Sequence, residues 1–445
     1  MRKWFLVFLG IALLGYAIHY VWRMAQVLAG FGAKQLCSCV FVSERTEASV
    51  LTHELARFPY TLVTYEVNHA GGYTTAKVGP GPSRRAVYRS GLGCVLLTED
   101  NPSNASSNFR LPAIRDTPLP ISQTLPGVDY QQLDAALNQS FAEPDAGHLQ
   151  NTRAVVVLYR DTLVAERYAA DITADTRMPG WSMAKSVTNA LIGILVRQGK
   201  LAVNDPAPVL AWQHDERRQI TIDNLLRMQS GLDWNENYFT VSDVTQMLFL
   251  AENMSEIATQ QPLNEVPGTE WYYSSGTTNI LSQIIRETVG EEDHLMFPYR
   301  ELFGPLGMHS AVWETDLSGT QVGSSYLLAT ARDWAKFGLL YLKDGVWSGR
   351  RILPEGWVDY TTTPVAQAPL RKYGAHFWLN IGEADNPANR RFPDAPTDLF
   401  FAEGFDGQNL FIIPSRDLVV VRLGATTYGH FNQNQFLRDL LLTFP

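Results

Sequence analysis

The chain has 445 residues, 45% of them hydrophobic and 18% charged, so it is long enough for more than one structural unit and too apolar to be disordered. Lysine and arginine total 36 against 45 aspartates and glutamates, a formal net charge of -9. An acidic protein without long basic runs is a poor candidate for nucleic-acid binding, and we expect no nucleic-acid partner.

The N-terminal segment is suited to a membrane. Two basic residues precede 19 uncharged residues, from Trp4 to Trp22, and Arg23 follows. A helix of this length just crosses a hydrocarbon layer of about 30 Å. We interpret residues 1–33 as an uncleaved anchor or a signal peptide cleaved near the small residues at 29–33, with a buried core helix as the remaining alternative. The first two place the rest of the chain in the periplasm, held at the inner membrane by one span or released after cleavage.

Three cysteines follow, Cys37, Cys39 and Cys94. In an exported chain Cys94 can bridge to Cys37 or to Cys39, which leaves one thiol over; the alternative is three reduced thiols in the core. Cys37 and Cys39 are too close together, and lack the partner ligands, for a structural zinc site.

Residues 34–119 are predicted to form an accessory region and linker. Short apolar runs alternate there with glycine and proline, which indicates a small group of strands. A polar loop at 101–107 and a proline-punctuated stretch follow. The remaining residues, 120–445, are predicted to form the main domain.

The main domain begins with two strands, 153–159 and 163–168, joined by a tight polar turn. A helix over 183–197 follows, since apolar residues recur at helical spacing up to Gly199. The stretch at about 200–345 is rich in helices, and the chain ends with strands and a helix. The later predicted segments are 223–228, 277–289, 331–342, 410–413, 418–423 and 433–442. This order predicts an α+β fold, with one sheet built from both ends of the domain, flanking helices and an inserted helical subdomain.

Ser182 and Lys185 lie at the start of the predicted helix 183–197. Residues three apart share a helix face, so the lysine amine would stand beside the serine hydroxyl. A serine is a weak nucleophile until a base takes its proton, and a lysine is that base only when burial or nearby positive charge lowers its pKa. Trp181 before the serine and an apolar, uncharged helix after it predict that Lys185 points inward. The alternative is a capping serine with a surface lysine.

Two later segments can add to this site. Tyr273 lies at a turn before the predicted helix 277–289, where its phenol can act as a base or a proton relay. Residues 401–408 precede a strand, and their glycines would let a substrate approach the backbone amides. Taken alone, the first segment is as well explained by a core aromatic cluster and the second by a plain hairpin turn.

In this order, the three motifs resemble the serine β-lactamase-like hydrolase family. That family includes class C β-lactamases, D-alanyl-D-alanine peptidases, family VIII carboxylesterases and 6-aminohexanoate-dimer hydrolases. The resemblance covers roughly residues 120–440 and extends to Asn204-Asp205-Pro206, Pro305-Leu306-Gly307-Met308 and Thr330-Ala331-Arg332-Asp333. It implies a β-lactamase/transpeptidase-like fold with an antiparallel sheet.

The resemblance also implies a role for each motif. Ser182 would be the acylated nucleophile, Lys185 its proton acceptor and Tyr273 the partner that shuttles the proton, with the amides of Ser182 and Phe405 as the oxyanion hole. The residues expected to contact the substrate are Ser275, Gly404, Asp406, Gly407 and Gln408. No metal and no cofactor is expected.

Two departures from the family pattern bear on the substrate. Ser275 stands where class C β-lactamases have asparagine. Ala402-Glu403-Gly404 aligns with a triplet that begins with lysine or histidine in lactamases and peptidases, where the cation holds the substrate carboxylate. The missing cation, together with repulsion from Glu403, predicts weak penicillin binding and favours esters or neutral amides, as in the esterase and aminohexanoate-dimer branch.

We therefore predict an extracytoplasmic serine hydrolase that cleaves an ester or amide bond of a small molecule through an acyl-enzyme. Peptidase or β-lactamase activity is the alternative substrate class, and a non-catalytic module that binds peptidoglycan or a partner is the alternative function. The scattered histidines disfavour a zinc enzyme, and a triad with His430 is a minor alternative. Asp233, Glu236 and Asp243 are expected to form a solvated acidic loop, and the alternative is that they line the mouth of the pocket.

Overall fold

The computed structural model describes residues 2–98, 109–145, 149–427 and 429–445, without the side chains of Arg2 and Lys3. The polar loop expected at 101–107 lies outside the described residues. The described helices are α1 (Arg2–Cys37), α2 (Glu47–His53), α3 (Tyr130–Phe141), α4 (Ala184–Arg197), α5 (Ile222–Leu226), α6 (Asp243–Leu250), α7 (Met254–Thr259), α8 (Ser275–Val289), α9 (Gly304–Leu306), α10 (Ala331–Leu342), α11 (Trp357–Thr362) and α12 (Gln433–Leu441).

The described strands are β1 (Val63–Asn68), β2 (Tyr73–Val78), β3 (Ser83–Arg89), β4 (Gly93–Leu96), β5 (Thr152–Tyr159), β6 (Thr162–Tyr168), β7 (Met178–Pro179), β8 (Val312–Trp313), β9 (Leu327–Ala329), β10 (Val346–Trp347), β11 (Arg350–Arg351), β12 (Trp378–Leu379), β13 (Phe400–Gly404), β14 (Gln408–Ile413) and β15 (Leu418–Gly424).

The largest sheet has six antiparallel strands in the order β12-β13-β14-β15-β5-β6. Strand β5, from the start of the main domain, lies beside β15 from its end, with Val157 opposite Val420. Every residue of β5 is buried because α3 and α12 cover one face of the sheet and α10 covers the other. The predicted α+β fold, with a sheet made from both ends of the domain, is confirmed.

Local sequence determines where several elements begin. Arg160 and Asp161 form the tight turn between β5 and β6 with φ of 47° and 61°, and positive φ at both positions gives the twist that a two-residue hairpin needs. Helix α8 begins two residues earlier than expected because the Ser274 side chain accepts a hydrogen bond from the Thr277 N–H and caps it. Helix α4 begins one residue later, because a 3-10 turn over Trp181–Met183 precedes it.

The middle of the main domain is less uniformly helical than expected. Strands β8 and β9 lie within it and join β7 in a three-stranded sheet of order β7-β9-β8. Helix α10 also belongs to this stretch but packs on the six-stranded sheet, where a Cβ on Gly338 would lie 2.7 Å from the side chains of Leu410 and Val419. Helix α10 is therefore part of the layer that covers the sheet.

The accessory region packs tightly against the main domain. Its four strands form an antiparallel meander, β1-β2-β3-β4, on the inner half of α1. Lys34 of α1 forms a buried ion pair with Glu314 of the main domain. The Glu314 carboxylate also accepts hydrogen bonds from Ser38 Oγ at 2.9 Å and from the Cys94 N–H at 2.6 Å. Helix α1, the meander and the main domain thus share one hydrophobic core.

A disulfide joins Cys37 of α1 to Cys94 of β4, and Cys39 is a buried free thiol. Of the two pairings that the sequence leaves open for Cys94, the structure contains the one with Cys37. The bond spans 57 positions of the sequence and ties the end of α1 to the last strand of the meander.

Removal of this disulfide is expected to lower the free energy of unfolding by about 2 to 4 kcal/mol, because the cross-link restricts the unfolded chain. The measurement is the chemical-denaturation midpoint of a Cys37→Ala/Cys94→Ala variant in detergent micelles. Cys39→Ala is the matched control for loss of a buried thiol. Equal midpoints for the two variants under oxidising conditions would contradict the prediction.

Candidate active site

A strained bend places Ser182 at the entrance to α4. Trp181 has φ of 48°, an uncommon conformation for a residue other than glycine, and its side chain is buried. Gly180 before it lies so close to Trp334 that a Cβ there would be 2.3 Å from the ring. This bend leaves the Ser182 side chain partly exposed and directs Lys185, one turn later, into the protein.

Lys185 is only 2% exposed, and its ammonium has three hydrogen-bond acceptors. Nζ donates to Ser182 Oγ at 2.9 Å, to Ser275 Oγ at 3.0 Å and to the Ser324 carbonyl at 3.0 Å. Burial lowers the pKa of Lys185 to about 8, against the nearby Glu236 carboxylate, which raises it. A substantial fraction of the amine is therefore neutral near pH 8 and able to accept a proton from Ser182.

Tyr273 lies in contact with the same pair. Lys185 Nζ is 4.9 Å from the centre of its ring, and the ring stacks on Trp378 at 5.2 Å. Burial raises the pKa of Tyr273 well above its usual range, although a hydrogen bond with the Ser182 side chain lowers it. The structure thus brings together the hydroxyl, amine and phenol that the sequence analysis selected.

The third motif forms the wall opposite α4. A Cβ on Gly404 would lie 2.2 Å from the carbonyl oxygen of Gly180, so only glycine lets β13 approach the bend this closely. Phe405, the next residue, packs its ring 5.4 Å from that of Trp181. In the parts of the chain that the structure describes, the backbone N–H groups of Ser182 and Phe405 have no hydrogen-bond acceptor. Two amide donors are therefore free beside the serine.

Three residues expected to contact the substrate have other partners. Gln408 is buried, and its side-chain amide donates to the carbonyls of Phe405 and Gly424 at 3.1 and 2.6 Å, so it braces the turn between β13 and β14. The Asp406 carboxylate forms an ion pair with Arg57. The Gly407 carbonyl accepts a hydrogen bond from Arg422 at 2.8 Å. These residues shape the turn from behind, while Ser275 and Gly404 do lie at the site.

Glu236 was expected in a solvated acidic loop, with a position at the pocket as the alternative, and the structure has it at the pocket. Its carboxylate accepts hydrogen bonds from the Ser275 N–H at 2.9 Å and the Ser275 hydroxyl at 2.5 Å. It also accepts from the indole of Trp234 at 2.5 Å and the phenol of Tyr238 at 3.3 Å. A negative charge therefore lies one hydroxyl away from Lys185. No spacing rule marks Glu236 in the sequence, because Ser275, which connects it to Lys185, belongs to α8 and lies 39 positions away.

The Glu403 side chain also differs from expectation. Arg391 donates to both of its carboxylate oxygens, at 2.8 and 2.5 Å, and Gln433 donates to it at 3.2 Å. A paired carboxylate repels an anionic substrate much less than a free one. Repulsion from Glu403 is therefore a weaker reason to expect poor penicillin binding than the sequence suggested. The absence of a cation at the buried Ala402 remains.

One group of described side chains has ligand atoms close enough for a metal ion. Donor atoms of Asp116, His309 and Asp333 all lie within 4.8 Å of one another. Lys336 already donates to Asp116 at 2.6 Å and to Asp333 at 2.8 Å. An ammonium thus balances these carboxylates, and we interpret the group as a structural ion-pair network.

Comparison with known proteins places this geometry in a family. A family model described as beta-lactamase matches residues 138–443, which include all three motifs. The chain belongs to the beta-lactamase family. It is a serine hydrolase of that family, with the serine and lysine at the start of α4 and the tyrosine before α8.

Among relatives of this beta-lactamase-family hydrolase is the 6-aminohexanoate-dimer hydrolase of Paenarthrobacter ureafaciens, which is 24% identical over 65% of the chain and 78% of that protein. A solved Bacillus anthracis protein assigned to the same activity has a TM-score of 0.58 at 21% identity, covering 74% of this chain and 88% of that one. A family VIII carboxylesterase has a TM-score of 0.55 at 14% identity, covering 72% and 98%. At these identities the structures support the fold.

We expect ester hydrolysis to rise with pH through the pKa of Lys185, at about 8, because only the neutral amine accepts the serine proton. Glu236 stabilises the ammonium, so Glu236→Gln is expected to move the acidic limb of the kcat/KM profile to lower pH by roughly one unit. The measurement is the pH profile of a short-chain p-nitrophenyl ester, corrected for spontaneous hydrolysis.

Asp243→Asn is the matched control for the Glu236 variant. Asp243 is the first residue of α6, just after the loop that carries Glu236, and its carboxylate accepts from the Asn235 N–H at 2.8 Å. We expect its acidic limb to coincide with that of the wild type. A Glu236→Gln profile that is unmoved, or moved to higher pH, is incompatible with the assigned role of Glu236.

Proposed function

We propose that this hydrolase is anchored in the inner membrane, with its catalytic domain in the periplasm, and cleaves an ester or amide bond of a small molecule through an acyl-enzyme. Ser182 is the nucleophile, Lys185 its base and Tyr273 the proton shuttle. The amides of Ser182 and Phe405 stabilise the oxyanion. No step requires a group beyond these residues and water.

Acylation begins when neutral Lys185 takes the Ser182 proton as Oγ attacks the carbonyl carbon of the substrate. The negative charge that develops on the carbonyl oxygen is held by the two free amides, which need no reorganisation at that moment. Tyr273, hydrogen-bonded to Ser182, passes the proton to the leaving oxygen or nitrogen. The bond from the carbonyl carbon to that atom then breaks, which leaves an ester on Ser182.

Deacylation reverses these roles with water as the nucleophile. Neutral Lys185 takes a proton from the water, directly or relayed by the Tyr273 hydroxyl, as the water oxygen attacks the acyl carbonyl, and the same two amides hold the charge. Ser182 Oγ leaves and recovers its proton through the lysine. The carboxylic acid is released, and the free enzyme is regenerated.

The observation that carries this proposal is the environment of Lys185. A lysine on a surface helix has a pKa near 10.4 and is a poor base at neutral pH. Here burial lowers the pKa to about 8, and the amine lies 2.9 Å from the hydroxyl that it must deprotonate. Burial of an amine costs free energy, and a module that only binds a ligand gains nothing from an amine buried next to a partly exposed serine. The geometry therefore favours catalysis over the non-catalytic alternative.

The substrate class is inferred from the wall formed by β13. Ala402, where lactamases and peptidases carry a cation, offers no charge to a substrate carboxylate, and Arg391 is occupied by Glu403. This favours an uncharged ester or amide at that end of the substrate. The names of two relatives, a 6-aminohexanoate-dimer hydrolase and a family VIII carboxylesterase, agree with this class.

The uncleaved anchor is favoured over the signal peptide. One helix at the N-terminus is long and apolar enough to cross a membrane, and it is continuous with the buried part of α1. The small residues suited to cleavage, 29–33, lie inside that buried part, where Ala29 and Ala33 are fully enclosed. Cleavage there would remove packed core residues. The disulfide between Cys37 and Cys94 supports an oxidising compartment such as the periplasm.

A fluorophosphonate probe tests the nucleophile. We expect covalent labelling of the wild-type protein and its complete loss in Ser182→Ala. Ser186→Ala is the matched control, since this neighbouring hydroxyl donates to the His376 carbonyl at 2.7 Å and should leave labelling intact. Folded wild-type protein that takes up no label, and hydrolyses no short-chain ester, would favour the binding module.

Nitrocefin tests the substrate class. Without a cation to hold the β-lactam carboxylate, we expect kcat/KM for nitrocefin to lie on the order of 100-fold below that for p-nitrophenyl butyrate, since a lost charge pair costs 2 kcal/mol or more. Both substrates are followed by absorbance with one enzyme preparation. Comparable values for the two would overturn the argument from Ala402.

A further inference from the structure

Helix α1 is one continuous helix with two different surroundings. Its outer part, from Trp4 to Trp22, is exposed along its length, with aromatic residues at both ends. Tryptophan is favoured at the two faces of a bilayer, and about 27 Å separates these positions along a helix, close to the thickness of the hydrocarbon layer. From Val27 to Cys37 the helix is almost entirely enclosed by protein. The membrane boundary therefore lies near Trp22.

The enclosed part of α1 reaches the active site directly. The Phe31 ring lies 6.0 Å from that of Trp181, the residue before the nucleophile, and 6.3 Å from that of Phe405. Phe31 is nine positions after Trp22, which is about 14 Å along the helix. Ser182 thus follows a residue that packs on α1 at a point about 14 Å from Trp22.

Helix α6 runs beside α1 in the same direction. Arg23 donates to the Gln246 side chain at 2.7 Å, and further along a Cβ on Gly30 would lie 2.8 Å from the Phe249 carbonyl. The N-terminus of α6 thus points to the membrane end of α1. The loop before it carries Phe239, whose side chain is 84% exposed.

The segment that leads into β1 packs on the inner half of α1. Phe31 stacks on Tyr60 at 4.4 Å, and further along both stretches Phe41, beyond the end of α1, lies 5.7 Å from the ring of His69. The start of this stretch is therefore nearer to the membrane than its end, at the level of Phe31. Two apolar side chains are exposed there, Phe58 at 78% and Leu62 at 55%.

Both segments also form walls of the active site. The Tyr238 ring stacks on Phe405 at 5.8 Å, and its hydroxyl lies 3.3 Å from Ser275 Oγ. On the other segment, Arg57 is paired with Asp406, and its guanidinium lies 5.4 Å from the Phe405 ring. Each segment thus has one residue at the site and a neighbouring apolar side chain in solvent. We call Phe58, Leu62 and Phe239 the apolar rim.

We propose that the apolar rim rests in the surface of the bilayer and that the substrate is a membrane-resident amphiphile, an ester or amide with a long hydrocarbon chain. The proposal rests on the proposed hydrolase function of Ser182 and deepens it. The polar group of the amphiphile reaches Ser182, the carbonyl carbon forms a bond to Oγ, and the leaving alcohol or amine takes the proton, while the distal chain stays in lipid.

The free energy of transfer from lipid to water favours a substrate whose chain stays in the bilayer over one that reaches Ser182 through water. Each methylene that moves from lipid to water costs about 0.8 kcal/mol, so full extraction of a long chain is prohibitive. Side chains of amphipathic surfaces enter the headgroup boundary by about 5 to 10 Å, which shortens the distance left to Ser182. Of the rings near that remaining distance, those of Tyr60 and Phe405 are partly exposed, and the buried Phe31 ring packs against both. A partly lifted chain would therefore contact these two apolar rings.

The test uses the full-length protein in phosphatidylcholine vesicles and two esters, water-soluble p-nitrophenyl butyrate and vesicle-borne p-nitrophenyl palmitate. A triple variant, Phe58→Ser/Leu62→Ser/Phe239→Ser, removes the apolar rim. We expect kcat/KM for the palmitate to fall at least about tenfold, with the butyrate within about twofold of wild type. Leu210→Ser, at a side chain of similar exposure outside both segments, is the matched control and should change neither.

The outcomes separate the two proposals. Normal butyrate hydrolysis also shows that the triple variant is folded. If palmitate hydrolysis in vesicles is equal in the variant and the wild type, the membrane-resident substrate is refuted while the hydrolase stands. If folded wild-type protein hydrolyses neither ester and takes up no fluorophosphonate, the proposed function fails first.

Discussion

The burial of one ammonium group is the constraint on which the site depends. Lys185 lies on an apolar helix, and an enclosed lysine without partners would destabilise the fold. The structure meets this demand with two hydroxyls and the Ser324 carbonyl, and with Glu236 behind Ser275. The same arrangement keeps the amine beside Ser182. The stability of the fold and the transfer of the Ser182 proton therefore depend on the same hydrogen bonds around Lys185.

The other charges near the site are balanced by residues from distant segments. Arg57 of the accessory region pairs with Asp406, and Arg391 pairs with Glu403. Burial raises the pKa of Asp406 to about 6, although Arg57 lowers it. Because these carboxylates are paired, Lys185 and Glu236 dominate the electrostatics around the nucleophile. The accessory region is thus part of the active-site wall as well as a neighbour of α1.

Local patterns in the sequence were enough to predict much of this structure. The helix over 331–342 agrees with α10 at both ends, and the spacing of Ser182 and Lys185 gave their contact, because both depend on short-range helix geometry. Pairings across the chain could not be found in this way. The ion pair of Arg391 with Glu403 depends on the fold, and so does the contact of Phe31 with Trp181.

The outer part of α1 is exposed and its inner part is enclosed by protein, and this difference affects how the chain assembles during translation. The inner half of the helix is synthesised long before its partners: Glu314, the partner of Lys34, follows about 280 residues later, and Phe405 about 370 residues after Phe31. At about 5 to 20 residues per second, the ribosome needs roughly 15 to 75 seconds to supply them. During that interval the helix has an uncompensated lysine and an uncovered apolar face. Correct assembly therefore depends on whatever shields this half of the helix until translation is complete.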